Sequence, residues 1–417
     1  MPVPSARRAG PSQRGLDWLN FFVADVQTGF GPFIAVTLAA HGWTDTGIGA
    51  ALSLGTVAAM ASQLPAGWLV DVMPSRRLAA ALGILALGVG ALAIGLRPTT
   101  VPVMAAEILH GFASGMIVPA IAAISLGLVG PGAAGERLGR NARWSSIGNG
   151  LAAAAMGACG TYLSTAAVFL LAAALCVPAL LALSALAPPG RAASDRPPSD
   201  CSPSDRGPTG ARPTMLPRRL FRDRGLLTFA ACAALFQLAN AAMLPLIAAI
   251  SAKRDGAAAS AIIAACILVP QLVVAAFSPW VGRAAERRGR RPLLLLGVAA
   301  LPLRALLLAT LPPAGLLIPL QVLDGIGAAT FGVLVPLIAA DIAGGTGRFS
   351  LCMGAIGLAV GIGASASTML AGWAADRWGE APAFLALAAA GAAAFLLVRL
   401  AMPETRIPAG TRPIAGG

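Results

Sequence analysis

The chain has 417 residues, of which 57% are hydrophobic and only 11% are charged, and its formal net charge is +13. A soluble domain carries about 25% charged residues, and the mean hydropathy here is +0.78, so the composition excludes an ordinary soluble protein and indicates a membrane protein. The positive charge does not indicate nucleic-acid binding, because the basic residues lie in short gaps between apolar runs rather than along one face or tail.

Twelve apolar stretches are long enough to cross a bilayer as helices, which pair all their backbone polar groups internally. They cover residues 16–40, 45–70, 78–97, 101–129, 144–163, 166–187, 225–250, 257–281, 292–311, 315–340, 349–373 and 381–402. We therefore predict an all-α membrane protein with twelve transmembrane helices, numbered below as spans 1 to 12.

The basic residues predict how the chain is oriented in the membrane. Of the 30 Lys and Arg residues, 25 lie in the two terminal regions and the even-numbered gaps, 4 lie on the other side and Arg304 lies inside a span. By the positive-inside rule both termini are cytoplasmic. The wealth of Ala, Gly and Arg with a single Lys is typical of a GC-rich bacterial genome, so we expect a multi-pass protein of the inner membrane.

A polar segment rich in Pro, Ser, Gly and Arg divides the spans six from six. It cannot bury a core and is predicted to be a disordered cytoplasmic linker over 188–224, between six-helix bundles at 1–187 and 225–417. Five short matches recur in the same order in both halves, which indicates duplication. They pair 67–76 with 282–291, 107–111 with 321–325, 118–124 with 335–341, 31–35 with 244–248, and 143–145 with 348–350.

Two six-helix halves joined by a cytoplasmic linker resemble the major facilitator superfamily of secondary transporters, and the resemblance covers about 16–402. The family's loop after spans 2 and 8 reads Gly-x-x-x-Asp-Arg-x-Gly-Arg-Arg. The second copy here has Gly282, Glu286, Arg287, Gly289, Arg290 and Arg291, with Glu in place of Asp, and the first copy keeps only Gly67, Asp71 and Arg76. The resemblance implies a cytoplasmic gate here. Physically, the carboxylate could pair with an Arg across the loop or meet a neighbouring helix N-terminus, and the Arg residues could simply be membrane anchors.

Ionisable residues inside spans are costly and point to function. Span 1 has Asp25 and span 4 has Glu107 and His110, which are three residues apart and share a helix face. In the superfamily fold both spans line the central cavity, which implies that the three side chains form a proton-coupling cluster. There are two alternatives to proton coupling: these side chains could form a polar pair that packs helices together, or they could only contact the substrate. An exporter motif, Arg-x-x-Gln-Gly, is similar to this part of span 4, but Glu107 stands where the motif has Arg.

Arg304 in span 9 and Asp324 in span 10 lie at similar depth and are predicted to form a buried ion pair, either as a brace or as a moving part. Other polar side chains within the spans are candidates for a substrate cavity, although each could equally join two helices by a hydrogen bond. These candidates are Asn20, Gln27, Thr28, Asn149, Gln237, Asn240, Gln271 and Gln321.

We interpret the chain as a secondary transporter that moves a small solute by alternating access, with proton-coupled efflux favoured and proton-coupled uptake as the alternative. A membrane enzyme is a less favoured interpretation, since no catalytic motif occurs in the gaps between the spans. A sensor that has lost transport is a further, also less favoured, alternative. Two His residues do not suggest a metal site. We predict no cofactor, and expect a monomer whose partners are the solute, protons and lipid.

Overall fold

The computed structural model describes residues 11–28, 32–129, 131–186, 222–254, 259–344 and 346–406. The predicted linker falls almost entirely outside these residues. The described residues fold into fourteen α-helices, which we number in chain order. They are α1 (Pro11–Thr28), α2 (Pro32–Ala40), α3 (Asp45–Val72), α4 (Arg76–Leu96), α5 (Thr100–Val129), α6 (Ala134–Tyr162), α7 (Thr165–Ser184), α8 (Arg224–Asn240), α9 (Met243–Arg254), α10 (Ala259–Arg288), α11 (Arg291–Ala309), α12 (Ala314–Ala343), α13 (Phe349–Trp378) and α14 (Glu380–Ala401).

The helices account for the twelve predicted spans. Span 1 corresponds to α1 and α2, span 7 corresponds to α8 and α9, and every other span is a single helix. In the described part of the chain, ten helical segments are long and apolar enough to cross a membrane. The other two spans are the divided span 1 and α6, whose first ten residues contain four charged side chains. The predicted class, an all-α protein of two six-span halves, is confirmed.

Two boundaries differ from the prediction by more than five residues. Helix α6 begins at Ala134, ten residues before the predicted start of span 5, and α10 continues to Arg288 beyond the predicted end of span 8. These turns carry arginines and are helical all the same, because a helix is held by its backbone hydrogen bonds whatever the polarity of its side chains. Hydropathy therefore placed residues 134–143 and 282–288 in loops, whereas they are helical.

Helix starts follow local capping chemistry. Thr44, Ser164 and Asp223 each accept a hydrogen bond from the amide three residues later, over 2.9–3.1 Å. Prolines occur inside several helices, including Pro65 in α3 and Pro119 in α5, as membrane helices tolerate. The three caps fix where α3, α7 and α8 begin, after the connections that precede them.

Three buried apolar clusters describe how the halves meet. One lies wholly within residues 16–186 and a second wholly within 242–388. The third joins Ala122, Leu126 and Leu138 of the first half to the ends of second-half helices, including Phe229, Leu293 and Phe349. All of these second-half residues lie near the end that carries Arg76, Arg137, Arg290 and Arg348, which we call the arginine-rich end. The halves thus share a core at this end, and the described clusters are separate at the opposite end.

Candidate functional site: a two-fold gate at the arginine-rich end

Helix α3 crosses α13 of the other half at the arginine-rich end. The carboxylate of Asp71, 4% exposed, accepts hydrogen bonds from the backbone amides of Ser350 and Leu351, each over 2.9 Å. These amides belong to the first turn of α13, where they have no partner within the helix and carry the positive end of its dipole. Gly67 permits the crossing, because a Cβ atom there would lie 2.3 Å from the Ser350 carbonyl oxygen.

Helix α10 crosses α6 in the same way. The carboxylate of Glu286 accepts a hydrogen bond from the amide of Gly135, in the first turn of α6, over 2.5 Å. Gly282, four residues earlier, lies so close to Gly135 that a Cβ atom would be 2.0 Å from its carbonyl oxygen. Both copies of the loop motif therefore use a Gly and a carboxylate four residues apart to dock on a helix N-terminus of the opposite half. The helix N-terminus, one of the two partners considered for the carboxylates, is observed in both copies.

The arginines of the second loop bind within their own half. Gly289 has a positive φ of 95°, and this turn presents the amides of Arg290 and Arg291 to the Glu404 carboxylate at 2.8 and 3.1 Å. The Arg290 side chain also pairs with Asp341, with 3.2 Å between Nε and Oδ2. The chain after α14 thus ties down the loop, a contact that no sequence motif had suggested.

The C-terminal segment adds further contacts to this loop. Arg406 donates to the carbonyl of Arg287 over 2.9 Å, and Thr405 donates to Asp341 over 3.1 Å. In the first half, Arg76 donates to the carbonyl of Met73 over 3.1 Å at the start of α4. The two copies of the motif therefore share their contact across the halves, and the second copy also binds the C-terminal segment.

A second charged network supports the first turns of α6. Arg137 Nη2 lies 2.6 Å from Asp17 Oδ1 of α1, and Arg140 pairs with the other oxygen of the same carboxylate. Arg137 also donates to Asn141 over 2.7 Å, and Asn141 donates to Ser125 of α5 over 2.7 Å. Sequence analysis placed these arginines among the loop charges and assigned Asp17 no role. The spacing of Arg137 and Asn141 on one helix face could have suggested a network only once α6 was known to start early.

The predicted pair of Arg304 and Asp324 is in contact. Arg304 is 1% exposed, and its Nη1 lies 2.7 Å from Asp324 Oδ1 and 2.9 Å from Asn240 Oδ1, while its Nη2 donates to Gln321 over 2.5 Å. Gln321 was a cavity candidate, but it is fully buried, and both its side-chain groups are occupied because Nε2 donates to the Leu317 carbonyl. Asn240 is the last residue of α8, just before the break that separates α8 from α9. These residues form one polar cluster across α8, α11 and α12.

Glu107 lies where α5 packs against α3. Its carboxyl group sits against Gly55 of α3, where a Cβ atom on the glycine would be 1.8 Å from Oε2. Glu107 is 3% exposed, and its Oε1 has no hydrogen-bond partner among the described residues. Helix α5 packs extensively on α3 and only slightly on α1. A joint cluster of Glu107 and His110 with Asp25 stays a prediction, because the Asp25 side chain lies outside the described part of the structure.

The remaining cavity candidates are less distinctive. Asn20 is half-buried and donates to the Leu16 carbonyl over 2.7 Å, within its own helix. Asn149, Gln237 and Gln271 are half-buried. The side chains of Gln27 and Thr28, like that of Asp25, lie outside the described part of α1. Among the described residues, no group of three His, Cys, Asp or Glu side chains is placed to hold a metal ion.

Comparisons with known proteins match this architecture. An uncharacterized MFS-type transporter of Mycobacterium tuberculosis is 36% identical over 408 residues, which cover 97% of each chain. The tetracycline resistance protein, class B, of Escherichia coli is 33% identical over 130 residues, 31% of this chain and 32% of that protein. The crystal structure of the human organic anion transporter MFSD10 (TETRAN) superposes with a TM-score of 0.67 at 17% identity, covering 93% of this chain and all of that chain.

The family profile described as Major Facilitator Superfamily matches residues 17–269 and 229–416, two overlapping matches that together cover most of the chain. Together with the relative that is 36% identical over 97% of each chain, these matches show that the chain belongs to the Major Facilitator Superfamily of transporters.

Proposed function

We propose that the protein exports a small organic solute by proton-coupled alternating access. The observation that carries the proposal is the pair of related crossings at the arginine-rich end, Asp71 on α13 and Glu286 on α6. Each joins the two halves through a carboxylate and helix-terminal amides. Such contacts are specific yet few, so they can break when one half rocks against the other and form again when it returns.

The arginine-rich end, where the two halves are joined, is proposed to be a gate that faces the cytoplasm. The positive-inside rule puts the arginine-rich end on that side, with both termini cytoplasmic, in a bacterial inner membrane. The described conformation, with the halves joined at this end, then corresponds to a cavity open to the outside. Cysteine labelling of intact cells tests the orientation: an introduced cysteine at Arg399 should resist a membrane-impermeant maleimide, and one at Trp378 should react.

Proton coupling is supported by acidic side chains within the spans. Glu107 is buried, and its Oε1 has no hydrogen-bond partner among the described residues, so this acidic side chain within a span is the proposed carrier of the proton. Asp25 and His110 remain proposed members of the coupling site. The solute would bind near the midplane between the halves, within reach of Asn20, Asn149, Gln237 and Gln271. The contacts of Arg304 and Asp324 support a brace for that part of the second half.

Efflux is favoured over uptake by one relative. The partial match to the tetracycline resistance protein, class B, supports transport of an organic compound out of the cell. The low aromatic content, 5%, does not suggest a large aromatic pocket. We propose that the transporter works as a monomer without a cofactor or enzymatic activity, and that residues 188–224 form the cytoplasmic linker between its halves.

Everted membrane vesicles test this function directly. Respiring vesicles that contain the protein acidify inside, and an exported compound should collapse the pH gradient in wild type but not in Glu107→Gln. Asp376→Asn removes an exposed carboxylate on α13 and serves as the matched control, which should behave as wild type. If no compound in a chemically broad panel collapses the gradient, while intact cells accumulate a labelled solute with protons, efflux is wrong and uptake is correct.

A further inference from the structure

The polar cluster around Arg304 keeps its basic group out of reach and leaves one acidic oxygen free. Arg304 is 1% exposed and donates to three side chains, those of Asn240, Gln321 and Asp324. Its Nε has no hydrogen-bond partner among the described residues, but this atom is buried, so a solute cannot reach it. The Asp324 side chain is 21% exposed, and its Oδ2 makes no hydrogen bond to a described residue, since Arg304 binds Oδ1. The cluster therefore offers a solute an acidic oxygen and not a basic nitrogen.

Two neighbouring helices of the second half flank the part of α12 that carries Asp324. Gly325 packs on Val273 of α10, and Thr330 packs on Gly297 of α11. Because successive residues of a helix are about 100° apart, these two contacts lie on opposite sides of Asp324. Helix α12 is thus left with two further faces, one that carries Asp324 and one directly opposite.

Of these two faces, the one with Asp324 is turned towards the first half. It continues to Val335, about 20° away around the helix, which packs on the apolar cluster that both halves share. Helix α12 also packs on α6 of the first half. Ala328, one turn from Asp324, is exposed, and a Cβ atom on Gly332 would meet no described atom within 4 Å. The Asp324 carboxylate therefore borders open space between the two halves.

An aromatic surface lies two turns from Asp324 on the same face of α12. Phe331 is half-buried and stacks on Phe236 of α8, with 4.2 Å between the ring centroids. With a rise of about 1.5 Å per residue, Phe331 lies about 10 Å from Asp324 along the helix. Aromatic rings bind apolar groups and also attract cations to their faces. This surface fits a solute that has an apolar body and a positively charged end.

We propose that Asp324 selects the solute: its Oδ2 accepts a hydrogen bond from the protonated amine of an organic cation, whose apolar body lies on Phe331. The inference deepens the proposed function and rests on it. Arg304 holds the carboxylate in place from the buried side. An ammonium group gains a charge-assisted hydrogen bond here, an uncharged amide gains a weaker one, and a carboxylate is repelled. Arg304 is also the only Lys or Arg deep within a span, so an anionic solute finds no other basic partner there.

Three probes that share one fluorescent body and differ at one end test the proposal. They are dansylcadaverine, which ends in an amine, its uncharged N-acetyl derivative, and dansyl-6-aminohexanoate, which ends in a carboxylate. Dansyl fluorescence measures their binding to the full-length protein in lipid nanodiscs at neutral pH. In wild type the amine should bind roughly 10- to 100-fold more tightly than the N-acetyl derivative, and the carboxylate most weakly. Equal affinities, a preference for the carboxylate, or no binding of the amine would overturn the inference.

Two variants assign the preference to Asp324. In Asp324→Asn the side-chain oxygen stays on Arg304 and an NH₂ donor replaces Oδ2, so the carboxylate probe should bind at least as tightly as the amine. The double variant Arg304→Met with Asp324→Leu should bind all three probes equally, and one variant suffices if the other misfolds by gel filtration. Asp376→Asn, which removes an exposed carboxylate of α13, should keep the wild-type order. Variants that still prefer the amine would contradict the assignment.

Vesicles separate this inference from the proposed function. If Asp324 selects the amine in nanodiscs but no amine collapses the pH gradient in everted vesicles, proton-coupled efflux fails and the amine site stands. If an exported compound carries no amine and Asp324→Asn exports it as wild type does, efflux stands and the amine site is refuted.

Discussion

Replacing Gly282 with alanine should open the gate between α10 and α6. The new Cβ atom would lie 2.0 Å from the Gly135 carbonyl oxygen and 2.6 Å from its carbonyl carbon. Both atoms belong to backbone, which cannot rotate away as a side chain can. Since ordinary contacts begin at 3.4 Å, the helices must separate locally by about 1.4 Å, the difference between these two distances.

This displacement is large enough to break the neighbouring hydrogen bond. The distance from Gly135 N to Glu286 Oε1 is 2.5 Å, and an added 1.4 Å takes it beyond hydrogen-bonding range. A hydrogen bond to a charged group contributes about 1.5–3 kcal/mol. The closed state should therefore lose roughly 10- to 150-fold in its equilibrium against the open state.

The amide exchange rate of residues 131–140 measures this loss. In Gly282→Ala the segment should exchange faster by that factor, at a pH where wild type is protected. Gly150→Ala is the matched control on the same pair of helices, because its Cβ atom would meet only Leu268 Cδ1 at 3.8 Å. If Gly282→Ala keeps wild-type protection, or if the control loses as much, the crossing does not depend on close approach and the gate argument is refuted.

Three further predictions concern charged contacts. Asp71→Asn keeps one acceptor oxygen but loses the charge at the α13 terminus, so exchange at Ser350 should rise by a factor that corresponds to about 1–2 kcal/mol; unchanged exchange would contradict this. Asp324→Ala leaves Arg304 buried without its counter-ion, and should destabilise the protein by about 3–5 kcal/mol and lower its melting temperature. The double variant Arg304→Met with Asp324→Leu should recover most of that loss. A double variant as unstable as Asp324→Ala would show that the loss does not come from the unpaired charge of Arg304. Glu404→Gln should speed amide exchange in residues 287–292 about tenfold, whereas equal rates would show that the C-terminal segment does not hold the loop.

The fold could be predicted from the sequence because its cause is local. Each span is a run of apolar residues, and lipid forces such a run to pair its own backbone groups as a helix. The repeat, with its two copies of the motif around Gly67 and Gly282, predicted two related halves. Hydropathy missed the charged helical turns at the start of α6 and the end of α10 and the division of spans 1 and 7 into two helices each, because it measures the apolar character of side chains rather than the helix itself.

The site could be predicted in part. The sequence identified the carboxylates of Asp71 and Glu286 and paired Arg304 with Asp324, since a lone charge inside a span demands a counter-ion. It did not identify Asp17 as the partner of Arg137, or Glu404 as the partner of the arginine-rich loop. In both cases the partners are more than 100 residues apart, and the arginines alone are typical of ordinary membrane anchors.

The sequence by itself therefore determined the number of spans, the two-fold repeat and the residues able to form a gate, because these depend on composition and on spacing along one helix. Only the tertiary structure decided which helix each of them meets. Asp71 and Glu286 dock on helix N-termini of the opposite half, and Glu107 lies against Gly55 of α3. The physical reason is that a helix presents several faces at once, and the face that meets a neighbour is set by close packing between helices distant in the chain.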